Sequence, residues 1–207
     1  MLKNQKGISI IEILMALLIS TIVTTAVITL FSNSLTTSQQ MIGTAKLDQT
    51  LNSAMESITQ DIQRAGYTTL TTTATNVFST GTDTLQVTGG NCITFAYQAD
   101  ASTSPGNTNR FGYQLSGGAI QYRTLSSSCG SGTWVNLTDP KIITISAFTL
   151  TLNTTKINPS TGATTATNPY TTYNSVTVSI TGSLVSAPTV SRTITRTIKV
   201  FNNVYAP

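Results

Sequence analysis

The chain contains no histidine. A metal site would need Asp, Glu or Cys, and from Gly66 onward there are three Asp, no Glu and two Cys. No Gly-x-Ser-x-Gly, phosphate-loop or dinucleotide fingerprint occurs, so no constellation supports an enzyme and no cofactor is implied. Charge is scarce, at 9% of residues, and no charged low-complexity tail is present. The chain is therefore not a disordered one. Little charge combined with abundant Thr, Ser and Asn reads as β-rich and extracytoplasmic. Gly and Pro are absent from residues 8–31, which leaves nothing there to break a helix.

That stretch is the first positive signal. Ile8 to Phe31 holds a single charge, Glu12. A bilayer core requires about 20 apolar residues in a helix, and the run is long enough. Lys3 and Lys6 precede Gly7 and should stay on the cytoplasmic side. No small-residue cleavage site closes the run, as it would in an ordinary secretory signal. The small residue at the charge-to-apolar boundary is Gly7. A cut after Gly7 would remove the basic leader and keep the apolar helix, with Ile8 as the new amino terminus. A carboxylate inside a membrane segment costs roughly 2.5–3.5 kcal/mol on insertion scales. Glu12 therefore calls for a partner, and the freed amine of Ile8 on a neighbouring copy or the same chain is the obvious one. Snorkelling of Glu12 to the interface is the alternative.

The helical pattern continues. Leu47, Leu51, Ala54/Met55, Ile58, Ile62 and Ala65 recur in steps of three and four and predict one buried stripe. Asp61 and Arg64 stand three apart and are expected to pair. Gly66 follows as a stop. One helix is thus expected from about Ile8 to Ala65, roughly 87 Å long, with a bend or fray in the polar stretch 32–40.

From Tyr67 the period changes to that of strands. Strands are expected over 83–88, 92–98, 110–116, 119–124, 133–138, 141–155, 173–185 and 190–203. Gly117-Gly118 marks a hairpin. Segment 158–172 is expected to be an exposed loop. Asp83, Asp100 and Asp139 read as turn residues. In the last strand Arg192 and Arg196 share a face with Val190, Ile194 and Ile198, so that face either meets solvent or is shifted by a bulge. Cys92 and Cys129 are an even pair in an exported chain, which points to one disulfide; two free buried thiols are the alternative. A disulfide would close a loop of about 37 residues and contribute roughly 3–4 kcal/mol.

Gly7-Ile8-Ser9-Ile10-Ile11-Glu12 resembles the type IV prepilin signal: a short basic leader, Gly, an apolar run and Glu fifth after the cut. Ile8 departs from the Phe usual at that position. The segment Gln60-Asp61-Ile62-Gln63-Arg64-Ala65-Gly66-Tyr67 resembles the helix end of PilW-like minor pilins, relatives of the J-type minor pseudopilin of type II secretion. Cys92, Gly118-Ala119-Ile120, Cys129, Trp134 and Leu137-Thr138-Asp139-Pro140 follow in the order of the same family's head. The resemblance implies an α+β, type IV pilin-like fold. Its parts would be a cleaved leader (1–7), a transmembrane helix (8–31), the amphipathic half of that helix (32–65) and a β-rich head (66–207). It implies cleavage at Gly7–Ile8 by prepilin peptidase, N-methylation of Ile8, and an assembly role for Glu12. It further implies inner-membrane insertion with a periplasmic head, then partnership with the assembly platform, other minor pilins, the major pilin and a tip adhesin. The expected function is that of a minor pilin priming fibre assembly at the tip.

Two alternatives come with it. One is a minor pseudopilin of type II secretion. The other is a pilin that binds DNA or surfaces through a mildly basic head, where Arg110, Arg123, Lys141, Lys156, Arg192, Arg196 and Lys199 are the candidates.

Overall fold

The computed structural model describes residues 7, 9–69, 77–79, 83–123 and 128–206. It divides into two units, Met1–Ala45 and Lys46–Pro207, with the boundary inside one helix, α1 (Ile10–Arg64). Residues 32–40, where a bend or fray is expected, are helical throughout. Thr36 and Thr37 donate their hydroxyls to the carbonyls of Ser32 and Asn33, four residues back, which keeps this polar stretch compatible with a helix.

The second unit carries two antiparallel sheets. The first runs β1 (Gln86–Thr88), β2 (Cys92–Ala96), β3 (Arg110–Ser116), β4 (Ala119–Arg123) and β5 (Trp134–Asn136), in that spatial order. The second runs β6 (Ile143–Ile157), β7 (Tyr170–Leu184) and β8 (Ser191–Lys199), with the short β9 (Val204–Ala206) also paired to β7. The last predicted strand, 190–203, is β8 alone and ends at Lys199, and β9 is a further strand beyond it. The chain leaves the ladder at residues 200–203, and β9 pairs at Thr171 with Tyr205. The expected loop 158–172 is shorter than predicted, because β6 and β7 pair outward to Ile157 and Thr171.

The apolar spacing of β6 explains its irregularity. Ile143 and Ile145 are two apart, but Phe148 follows after three, and Leu150 after two more. All four are buried. A strand puts alternate residues on one face, so one extra residue must be accommodated. The register against β7 accordingly shifts between Ile145 and Ala147. No such shift interrupts the β7–β8 register across Arg192 and Arg196.

The sheets meet through backbone. Gly90 and Gly118, in the tight turns before β2 and β4, accept hydrogen bonds from Leu150 and Ile145 of β6. Gly117 and Gly118 both hold positive φ, as a two-residue hairpin turn demands. Cys92 at the start of β2 is joined to Cys129 in the loop after β4.

The core lies between the sheets and the 46–64 part of α1. Leu47, Leu51, Met55, Ile58 and Ile62 are all at most 1% exposed. They pack with Ile93, Phe95, Ile120, Phe148, Val176, Val178 and Ile180. Burying each such side chain stabilises by roughly 1.5–3 kcal/mol. Gly182 lets the helix come close: a Cβ there would stand 3.2 Å from the Leu51 side chain and 3.1 Å from Ile145.

Candidate functional site

Two regions draw the sequence motifs together. The first is the apolar part of α1. The amides of Glu12 and Ile13 bond to the Ser9 carbonyl at 3.0 and 3.3 Å, so Glu12 sits in the first turn. A carboxylate there is favoured by the helix dipole. The apolar window is wholly uncovered by its own chain. Its hydroxyls are not free: Ser20, Thr21, Thr24, Thr25 and Thr29 each donate to a carbonyl three or four residues back, at 2.7–2.9 Å. That internal satisfaction is what allows hydroxyl residues to face hydrocarbon. A Cβ added at Gly7 would meet nothing within 4 Å among the described residues outside its chain neighbours. Ile8, the expected site of cleavage and methylation, and Lys3 and Lys6 lie outside the described residues.

The second region is the far end of α1, where the motif of residues 60–67 acquires physical content. Asp61 does not pair with Arg64. Instead it accepts the hydroxyls of Tyr97 at 3.2 Å and Tyr113 at 2.5 Å. Burial, and then the Asp61 charge, push the Tyr97 phenol up to about 12 and the Tyr113 phenol higher still. Arg64 lies over the Tyr97 ring, 6.0 Å from its centre. Tyr97 and Phe111 stack at 4.1 Å. Ala65 is buried, and Gly66 turns the chain at φ 75°. The Gly66 amide then bonds to Ala96 and the Gln98 amide to Tyr67, which lays the chain beside β2. Asn202 donates its amide to the carbonyls of Arg64 and Ala65, and the Phe201 amide donates to Gln63. These contacts cap a helix end that would otherwise leave carbonyls unpaired.

The head motif is equally specific. The Ile120 amide bonds to the hydroxyl of buried Thr138 at 3.0 Å, and the Leu137 amide bonds to Ile120 at 2.8 Å. The Lys141 amide bonds to the Asp139 carboxylate at 2.9 Å. Asp100 accepts from the Ser102 amide, Asn109 and Thr108, and the Ser102 side chain, followed by these bonds, holds its carboxyl well below the ordinary range. Both Asp100 and Asp139 are thus turn residues. Asp83 is more than that: it holds Arg110 through two bonds of 2.6 and 3.1 Å.

The proposed basic surface is largely spent internally. Arg110 pairs with Asp83, Arg192 with Asp48 and Arg196 with Glu56. The two β8 arginines reach the helix while their side chains stay 54% and 42% exposed, so this face meets solvent with no bulge. Lys156 rests on Tyr170, with Nζ 4.3 Å from the ring centre. Arg123 is 1% exposed. One of its nitrogens donates to the carbonyls of Ser128 and Ser131, and its guanidinium lies over Trp134. Its Nε and Nη2 have no hydrogen-bond partner among the described residues. Burial, and then the nearby Arg110 charge, pull it down to about 10. Sequence reading missed the tyrosine pair on Asp61 and the burial of Arg123. The alternation of β4, with Ala119 and Arg123 on one strand, carried no sign that the arginine would be enclosed.

A long helix whose apolar half meets nothing of its own chain, and whose other half is the core of an antiparallel head, defines a type IV pilin-like protein of the minor pilin or pseudopilin kind. Such proteins are structural, not enzymatic. Residues 40–200 match the family PpdB, prepilin peptidase-dependent protein B, and the chain belongs to that family. A type IV-like pilin from Thermus thermophilus is similar over 74% of this chain and 96% of its own, at 11% identity and a TM-score of 0.42. A likeness of that size adds nothing to the assignment. No curated protein matches.

Proposed function

We propose that the chain is a PilW-type minor pilin of a type IV pilus, which primes fibre assembly and stands in the tip complex. The observation that carries this is the uncovered apolar helix with one carboxylate, Glu12, in its first turn. The family description, dependence on prepilin peptidase, supports cleavage after Gly7 and methylation of Ile8. Before assembly the helix spans the inner membrane through residues 8–31, with the head in the periplasm. On assembly the Glu12 carboxylate pairs with a neighbour's amine and sets axial register, and the apolar helices bury against one another as they leave the lipid.

The test is Glu12→Ala. The variant protein is expected at normal levels in membranes but depleted from sheared fibres. Normal incorporation would sink the proposal. A strain lacking the chain should carry few surface fibres, restored when the retraction motor is also removed. Normal fibres in both backgrounds, with loss of secreted enzymes, would instead make it a minor pseudopilin. The DNA-binding reading is disfavoured, because three of the seven head cations are ion-paired and one is buried.

A further inference from the structure

The outward face of the second sheet changes character at one end. Val176, Val178 and Ile180 point into the core, so the residues between them point out. Over most of its length that outer face is a hydroxyl ladder. Thr177 pairs with Thr197, Ser179 with Thr195 and Thr181 with Thr193, at 2.8–3.1 Å. Beyond Ser175 the ladder stops, and Tyr173 and Lys199 take its place. Where β8 ends and the chain leaves the ladder, Phe201 projects, 70% exposed. Together with Thr155, Ser175 and Asn203 they line a concavity of about 510 Å³. That size is in the range of small-molecule sites, which combine apolar walls with a few polar groups.

We propose that this concavity binds an acidic saccharide, a pyranose chain bearing carboxylates. The lining carries two aromatic side chains and several neutral hydroxyl and amide groups. It has one ammonium, Lys199, and no carboxylate. The face of an aromatic ring is electronegative, and the C–H face of a pyranose is drawn to it. The hydroxyl and amide side chains match sugar hydroxyls. Lys199 is in no ion pair among the described residues, so it is free to meet one carboxylate. A nucleic acid strand would require a track of cations along its phosphates. The other cations of β8, Arg192 and Arg196, are turned to Asp48 and Glu56 on the helix.

The experiment titrates the full chain, carried in a detergent without a sugar headgroup, with three probes by calorimetry. The probes are a glucuronate-containing hexasaccharide, a neutral glucose hexasaccharide and an oligothymidylate. The uronate probe is expected to bind best. Phe201→Ala, checked for an unchanged unfolding midpoint, should weaken it about fivefold or more. Lys199→Gln should remove the preference for the uronate over the neutral probe. Absence of saturable uronate binding, or uronate binding unaffected by Phe201→Ala, overturns the proposal. Tighter binding of the oligothymidylate, falling steeply with salt, overturns it in favour of a nucleic-acid site.

Discussion

The two units share one helix and solve opposite problems with it. Between Lys46 and Arg64 the apolar residues are spaced for one face, and the sheets cover that face. Between Ile10 and Phe31 apolar residues stand all round the helix, and the folded chain covers none of them. A helix that is apolar all round must find its cover outside itself, in lipid or in other chains. The difference lies in composition as well as pattern: residues 46–64 carry Lys46, Asp48, Glu56, Asp61 and Arg64, whereas residues 10–31 carry the single charge of Glu12. The head covers its own apolar helix face, and the first unit leaves its apolar surface uncovered.

Substitutions of one chemistry in both units should separate them most sharply. Leu51→Asp places a carboxylate in the core beside Gly182 and is expected to abolish cooperative unfolding of the head, measured by circular dichroism. Leu17→Asp should leave head unfolding unchanged and reduce membrane retention in fractionation. A destabilised head in the second variant would break the distinction. Next in size is the disulfide. Cys92→Ser with Cys129→Ser should lower head stability by roughly 3 kcal/mol in denaturant titration, since a loop of about 37 residues is released.

Smaller is the tyrosine pair on Asp61. Tyr113→Phe should cost about 1.5–3 kcal/mol, the worth of a hydrogen bond to a charged group. It also sets a pH dependence. The folded phenols of Tyr97 and Tyr113 titrate above their unfolded value of 10.0. Their contribution is complete below pH 10 and is lost as pH rises toward about 12 and beyond. The melting temperature should therefore fall over that window, and fall less in Tyr113→Phe. The smallest effect belongs to Arg196→Gln, which removes a solvent-exposed partner of Glu56. Its shift of the unfolding midpoint should be marginal and vanish in high salt.

Much of this was legible in the chain itself. The stripe from Leu47 to Ala65 is a helix period and became the buried face. Gly117-Gly118 specified its hairpin, because both residues must hold positive φ. The step of three between Ile145 and Phe148 marks the bulge within the strand expected over 141–155. Asp61 and Arg64 misled, since helix spacing offers a local pair while the tyrosines that take Asp61 are 36 and 52 residues away. Asp83 misled likewise: its partner Arg110 is 27 residues on.

By itself the sequence determined the elements whose cause is local. These are the unbroken apolar helix, the amphipathic stripe, the Gly66 stop and the turns at Gly117 and Asp139. Local chain geometry and side-chain period settle such features within a few residues. Only the tertiary structure decided where charge and aromatic groups ended up. It tied Arg192 and Arg196 to the helix, enclosed Arg123 under Trp134, and gathered Tyr173, Lys199 and Phe201 around one concavity. Those pairings join residues on different elements, and they are fixed by strand register and by which face each sheet buries.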